Sequence, residues 1–167
     1  MNGELEGHSG NVPVQYHQFD ISDEDGPVAP DLGRDHNGLI RVVDGVIVIM
    51  TGIHTGDVHV TVTNYQAAPA LDEGSWQEIV EISAHSASGE LMVRGTMDDL
   101  DEELPVLSAN GPGSYRLRVY ARGRDIAVDQ APEDLTEWYL IESWPAPTQP
   151  ATVVRQSDTY GASVRSR

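Results

Sequence analysis

The sequence contains no cysteine and no lysine, and phenylalanine occurs only once. Without cysteine the chain can form no disulfide framework, thiolate nucleophile or cysteine-ligated zinc site. Disulfides are also rare in the cytosol, and we predict a cytoplasmic protein. All ten basic residues are arginines, a bias that we attribute to a GC-rich genome rather than to function.

Long apolar runs are missing as well. The longest, Val46–Met50, is far shorter than the roughly 20 residues that a membrane-spanning helix needs. The start of the chain is polar, and it carries Glu4 and Glu6 where a secretory signal has positive charge followed by an apolar core. We therefore expect no membrane span, no secretory signal and no membrane partner.

Acidic residues are what the chain has in excess. Its 27 acidic and 10 basic side chains give a formal net charge of −17 over 167 residues. Such a field attracts cationic partners and repels nucleic acid and anionic membranes. A chain of this length suits one domain with a sizeable core. We expect a single acidic domain with a basic protein partner and no nucleic-acid ligand; its oligomeric state stays open.

Apolar and polar residues alternate with a period of two along most of the chain, which is typical of half-buried strands. The alternation is clearest over residues 115–122 and 58–63. Asp44-Gly45, between two apolar runs, is a strong signal for a two-residue hairpin turn. The pattern predicts an all-β fold, an antiparallel β-sandwich of jelly-roll-like type with about eight strands and no helix. A closed barrel is the second choice.

We divide the chain into a flexible N-terminus over residues 1–11, a β-sandwich domain over residues 12–145 and a flexible C-terminal tail over residues 146–167. The first strand is predicted to begin at Val12 and to continue through Tyr16 in one alternating run. Prolines from Pro145 onward should end regular structure, and a polar chain end is often poorly ordered.

Nothing in the sequence has the spacing of a catalytic or metal site. The six histidines include no HxH or HExxH pair, so we expect no metal centre. There is no GxSxG motif, and the serines around His85 are typical of a polar turn. The segment DISDEDG at residues 20–26 is rich in oxygen ligands, but their order differs from that of a calcium-binding EF-hand loop. We predict a protein that is not an enzyme and has no cofactor.

The acidic residues form three clusters, the third comprising Asp129, Glu133, Asp134 and Glu137. Acidic loops can occupy the positions that DNA phosphates take on a nuclease and can speed association with a basic partner. The alternative is a solubilising surface that discourages pairing between edge strands. As partner-binding residues we predict the first two clusters, namely Asp23, Glu24, Asp25, Asp98, Asp99, Asp101, Glu102 and Glu103.

Four of the ten arginines crowd one predicted strand and the loop after it. Against a net charge of −17 they do not indicate a nucleic-acid-binding stripe. We expect them to pair with neighbouring acids across the sheet. The residues are Arg116, Arg118, Arg122 and Arg124.

The motif YHQF at residues 16–19 resembles the opening strand of the competence protein J family, small inhibitors of the DNA-entry nuclease in Gram-positive bacteria. Three further segments resemble the family in the same order, across about residues 12–145. They are the VDG hairpin at 43–45, the GSYRL strand at 113–117 and the closing WYLIESWP strand at 138–145. The resemblance implies stoichiometric inhibition of a nuclease by blocking its active site. It assigns no inhibitory residue in this chain.

The exposure of aromatic side chains distinguishes a nuclease inhibitor from a second possible function. Most of those in the resembling segments (Tyr16, Phe19, Trp138 and Tyr139) are predicted to be core rather than interface. The other function that we consider is a small-ligand or carbohydrate-binding sandwich. It would require a concave sheet face with solvent-exposed Trp76 or Trp144.

Overall fold

The computed structural model describes residues 4–30, 37–95 and 104–167, and β-structure dominates them. These residues form ten strands and one short helix. In chain order they are β1 (Glu4–Val14), β2 (Gln18–Ser22), β3 (Ile40–Val43), β4 (Val46–Met50), β5 (Gly56–Tyr65), β6 (Glu78–Ser86), β7 (Met92–Arg94), β8 (Gly113–Arg122), β9 (Trp138–Pro145), β10 (Thr152–Gln156) and α1 (Thr159–Arg165). One sheet has six strands in the order β1-β5-β9-β8-β6-β10, and the other has four in the order β3-β4-β2-β7.

The hydrophobic core lies between the two sheets. The valines of β5 at positions 58, 60 and 62 face it and are fully buried, as the alternation predicts. Phe19 of β2 and Tyr139 of β9 meet edge to face across it, with ring centroids 5.1 Å apart. Such an aromatic pair adds about 0.5–1.5 kcal/mol beyond the apolar area that it buries.

The hairpin predicted from Asp44-Gly45 is confirmed. Strands β3 and β4 are antiparallel partners, with Val43 opposite Val46. Asp44 and Gly45 have φ angles of 51° and 83°, the left-handed backbone that a two-residue hairpin turn with matching twist requires.

The all-β prediction is confirmed, but three details of it are wrong. A short helix, α1, is present although none is predicted. The described residues contain ten strands rather than about eight. The pairing is also not wholly antiparallel, because β5 and β9 run parallel, with Val60 opposite Tyr139. Alternation identifies the buried face of a strand but not the direction of its neighbour, and parallel neighbours need a long crossover. Here β6, β7 and β8 lie between them in the chain.

Regular structure extends beyond the limits that we predicted from sequence at both ends. Strand β1 starts at Glu4 and pairs with β5 along its whole length. Strand β10 covers the free edge of β6, and α1 follows it within the segment predicted as a tail. Asp158 caps this helix by accepting the N–H of Gly161. Within the described part of the chain, no helix is long and apolar enough to cross a membrane.

Candidate functional site

The acidic turn after β2 closes on itself. Asp23 is buried, and its carboxylate accepts hydrogen bonds from the Ser86 hydroxyl at 2.5 Å and from the N–H groups of Asp25 and Ser88 at 2.9 and 3.2 Å. Burial raises the pKa of Asp23, but these hydrogen bonds outweigh it and hold the pKa below its ordinary value. Asp23 therefore holds the turn against the end of β6.

The remaining predicted partner-binding residues divide into two groups. Glu24 is exposed and pairs with Arg94 at 3.0 Å, and Asp25 is exposed. An exposed pair of this kind contributes little to stability. Asp98, Asp99, Asp101, Glu102 and Glu103 lie outside the described residues.

At the opposite end of β2, Tyr16 and His17 form a tight turn that splits the predicted first strand. Their φ angles are 54° and 66°, and Gln15 pairs with Gln18 across them. Neither residue is a glycine or asparagine, so the left-handed backbone costs about 1–2 kcal/mol at each. Tyr16 is 74% exposed. Strain of this kind persists where the surroundings enforce it, and it is frequent at functional sites.

His17 is held from several sides. Its Nε2 lies 2.9 Å from Asp129 Oδ1, and its Nδ1 lies 2.9 Å from the carbonyl oxygen of Thr51. The imidazole stacks on Tyr160 with centroids 5.9 Å apart and meets His54 edge-on at 5.3 Å. The turn is therefore fixed by residues from three distant parts of the chain.

A fully buried arginine, Arg124, links three segments of the chain near this turn. Arg124 donates from Nε and Nη2 to the carboxylate of Asp158 at 2.7 and 2.9 Å. Its Nη1 donates to the carbonyl oxygens of Gly38 and Met50 at 2.8 and 3.0 Å. Glu78, also fully buried, lies 3.7 Å away. The guanidinium therefore ties the start of α1 to the segment before β3 and to the end of β4.

Glu137, which the sequence places in the third acidic cluster, is internal. It is fully buried and accepts the N–H groups of Gly52 and Ile53 at 3.1 and 2.6 Å and the hydroxyl of Tyr139 at 2.6 Å. Burial raises the pKa of Glu137 above its ordinary value, although these hydrogen bonds oppose the rise. Its carboxylate positions the loop after β4 rather than a partner.

We call this part of the molecule the loop end: the turn 16–17, the loops 51–55 and 123–130, and residues 158–160. Besides Tyr16, it exposes Ile126 (63%) and Val128. Apolar side chains that protrude from a rigid, acid-bearing surface are typical anchors of protein interfaces. Sequence reasoning missed this arrangement because it depends on contacts between segments more than 100 residues apart.

The predicted roles of the aromatic residues hold in part. Phe19 and Tyr139 are core residues, as predicted for most of these aromatics, whereas Tyr16 is exposed. Trp138 is half-buried. Trp144, one of two residues expected to be exposed on a ligand-binding face, is only 6% exposed, while Trp76 is half-buried.

Two of the β8 arginines pair across the sheet as predicted. Arg116 and Arg118 approach Glu81 at 3.4 and 2.8 Å, and Arg118 also binds Glu142 at 3.1 Å. Among residues 4–30, 37–95 and 104–167, no group of three or more histidine, aspartate or glutamate side chains is arranged to hold a metal ion.

No protein-family model and no curated protein matches this chain. Two solved structures are similar in fold. ComJ of Bacillus subtilis, an inhibitor of the DNA-degrading activity of NucA, aligns with a TM-score of 0.56 over 87% of this chain and 99% of its own, at 17% identity. The product of crocagin biosynthetic gene J aligns with a TM-score of 0.54 over 85% and 98%, at 16% identity. The resemblance to competence protein J is thus confirmed at the level of the fold.

Proposed function

We propose that this protein is a non-catalytic, stoichiometric inhibitor of a nuclease, of the kind that ComJ is for NucA. The observation that carries the proposal is the shared fold, which covers 99% of the ComJ chain. A fold alone does not imply a function. Additional support comes from the YHQF motif, because its tyrosine and histidine form the exposed turn of the loop end.

The contact would combine two contributions. Tyr16 and Ile126, both largely exposed, would supply apolar anchors that bury on binding. The exposed carboxylates Glu24 and Asp25, together with the acidic residues at 98–103, would attract a basic nuclease and speed encounter. Anchors then govern dissociation, and charges govern association and its dependence on salt.

The direct test is DNA cleavage by a NucA-type nuclease titrated with this protein. We expect cleavage to stop at about one inhibitor per nuclease, and the pair to co-elute in size-exclusion chromatography. Undiminished cleavage at saturating inhibitor would reject the proposal. Co-elution without loss of cleavage would also reject it, since the protein would then be a binding partner rather than an inhibitor.

Variants separate anchors from charges. Tyr16→Ala should raise the inhibitor concentration for half-maximal cleavage at least about tenfold, the equivalent of 1.4 kcal/mol of lost binding. Val43→Ala is the matched control, because Val43 is also exposed but ends strand β3, outside the loop end. Combined Glu24→Gln and Asp25→Asn changes should slow association at low salt and leave dissociation unchanged. Equal effects of Tyr16→Ala and Val43→Ala would argue against the loop end as the inhibitory face.

A further inference from the structure

Arg122 differs from the other arginines of its strand. Arg116 and Arg118 bind carboxylates, whereas Arg122, on the same face of β8, is in no ion pair within the described part of the chain. Among the described residues, its Nη1 has only a long contact of 3.4 Å to the Ser75 hydroxyl, and its buried Nε has no hydrogen-bond partner. A buried donor without an acceptor costs about 1–3 kcal/mol. Arg122 thus retains capacity for an acceptor from outside the chain.

Two indole rings flank this guanidinium. The central carbon of Arg122 lies 5.3 Å from the ring centroid of Trp76 and 5.1 Å from that of Trp138. Trp138 is the cross-strand neighbour of Arg122 on β9. Cation–π contacts hold the guanidinium in place but supply no hydrogen-bond acceptor. The N–H groups at its edge therefore stay available while its orientation is fixed.

Arg122 and Trp138 border a cleft of about 300 Å³, the size of a small-molecule site. Trp138 and Ile126 form its apolar lining, and Arg122 is its basic group. Ile126 is 63% exposed, which is unusual for a large aliphatic side chain. The cleft therefore offers one cationic donor beside an apolar wall.

Two other polar side chains of the cleft already accept hydrogen bonds from the backbone. Asp125 accepts the N–H groups of Thr159 and Tyr160 at 2.9 and 2.7 Å, one on each carboxylate oxygen. Gln77 accepts the N–H of Gly123 through Oε1 at 2.9 Å. Arg122 is the cationic donor in the cleft lining, and an arginine edge is well matched to a carboxylate.

We propose that this cleft binds a small monocarboxylate with an apolar body. Arg122 would take the carboxylate, and Trp138 and Ile126 would cover the apolar part. A single negative charge fits better than a phosphate or a dicarboxylate, because the net charge of −17 repels a ligand more strongly as its own charge grows. The cleft shares Ile126 with the proposed nuclease contact, whereas Arg122 and Trp138 take no part in that contact.

Three probes with the same alkyl chain test the head group: hexanoate, hexan-1-ol and hexylamine, each titrated at constant ionic strength. The readout is the indole N–H resonance of each of the three tryptophans in NMR spectra. We expect hexanoate to shift the Trp76 and Trp138 signals saturably and to leave Trp144, which lies against Arg118, unchanged. Hexan-1-ol should bind at least about tenfold more weakly, because it lacks a charge-assisted hydrogen bond. Hexylamine should not bind.

Arg122→Gln should remove the preference for hexanoate over hexan-1-ol, whereas Arg41→Gln, the same charge change at an exposed site on β3, should keep it. Ile126→Ser, in an exposed loop, should weaken hexanoate and hexan-1-ol equally and keeps the test valid if Arg122→Gln does not fold. Equal binding of the two probes, a retained preference in Arg122→Gln, or no shift at either indole would overturn the proposal.

Discussion

The two ends of β6 hold acidic side chains in different ways. At the Ser86 end, Asp23 is surrounded by a hydroxyl and main-chain N–H groups. At the Glu78 end, two buried carboxylates, Glu78 and Asp158, are held by Arg124. The first arrangement fastens one turn to the end of β6, whereas the second joins the start of α1, the segment before β3 and the end of β4. An acidic sequence cluster therefore says little about where negative charge reaches the surface.

The largest difference between the ends should emerge when a charge is removed from the loop end. Arg124→Met leaves Asp158 buried without a cation and leaves Glu78 with Arg165 alone, and breaking a buried pair such as Arg124–Asp158 costs about 3–5 kcal/mol. Urea unfolding measures the loss in the free energy of unfolding. Arg41→Met, at an exposed position, should change it by no more than about 0.5 kcal/mol. A loss below about 1 kcal/mol for Arg124→Met would contradict the supporting role of this arginine.

At the other end the expected loss is smaller. Asp23→Ala removes the acceptor for the Ser86 hydroxyl and for two N–H groups, so the free energy of unfolding should fall by about 1–3 kcal/mol. Asp25→Ala removes an exposed carboxylate of the same turn and should have almost no effect. Similar losses in the two variants would show that net charge, rather than the hydrogen bonds of Asp23, governs this turn.

The two ends should also respond to pH with opposite signs. Glu137 has a pKa raised by burial, so the folded state holds its proton more tightly than the unfolded state does. Its contribution to stability is fully present below the ordinary value of 4.5 and is lost as pH rises toward the folded pKa. Asp23 has a lowered pKa, so its contribution is present above 3.8 and is lost as pH falls through the folded pKa.

Difference curves against wild type isolate these contributions. Subtracting the pH profile of Glu137→Gln from that of wild type should leave a curve that falls with pH above 4.5. The same subtraction for Asp23→Asn should leave a curve that rises with pH below 3.8. Curves of the same sign would contradict the opposite environments of the two carboxylates.

The sheet faces were predictable from sequence, whereas the turn of the loop end was not. Alternation identified the buried valines of β5, and Asp44-Gly45 identified the hairpin between β3 and β4, because both signals are local. Tyr16 and His17 form the same kind of two-residue turn without glycine or asparagine. Contacts with Thr51, Asp129 and Tyr160 impose that backbone, and no local pattern records them.

The burial of Glu137 and Arg124 could not be predicted from the sequence either. Glu137 belongs to an acidic cluster in the sequence, yet it accepts three hydrogen bonds inside the fold. Pairing across the sheet was predictable for Arg116 and Arg118, because neighbouring strands offer acids at the right positions. The ion pair of Arg124 was not predictable, because its main partner, Asp158, lies in the segment that we predicted to be a flexible C-terminal tail.

The smallest stability effect is expected at Tyr16, the most exposed of the large apolar side chains that the loop end presents. Tyr16→Gly relieves a left-handed backbone that costs tyrosine about 1–2 kcal/mol. It also gives the unfolded chain more freedom, which offsets about 0.5–1 kcal/mol, and it removes an edge-on contact with His54. We therefore expect the free energy of unfolding to change by no more than about 0.5 kcal/mol. Gln15→Gly gains no such relief, because Gln15 has no positive φ, and it should destabilise the protein by about 0.5–1 kcal/mol.

The same substitution tests what the strained turn is for. If Tyr16 is an interface anchor, Tyr16→Gly should leave stability almost unchanged while weakening nuclease inhibition at least about tenfold. A loss of stability above about 1.5 kcal/mol would mean instead that the tyrosine serves the fold. Unchanged stability with full inhibition would leave the backbone strain without a binding role. Only the first outcome makes the loop end differ from the Asp23 end in function as well as in construction.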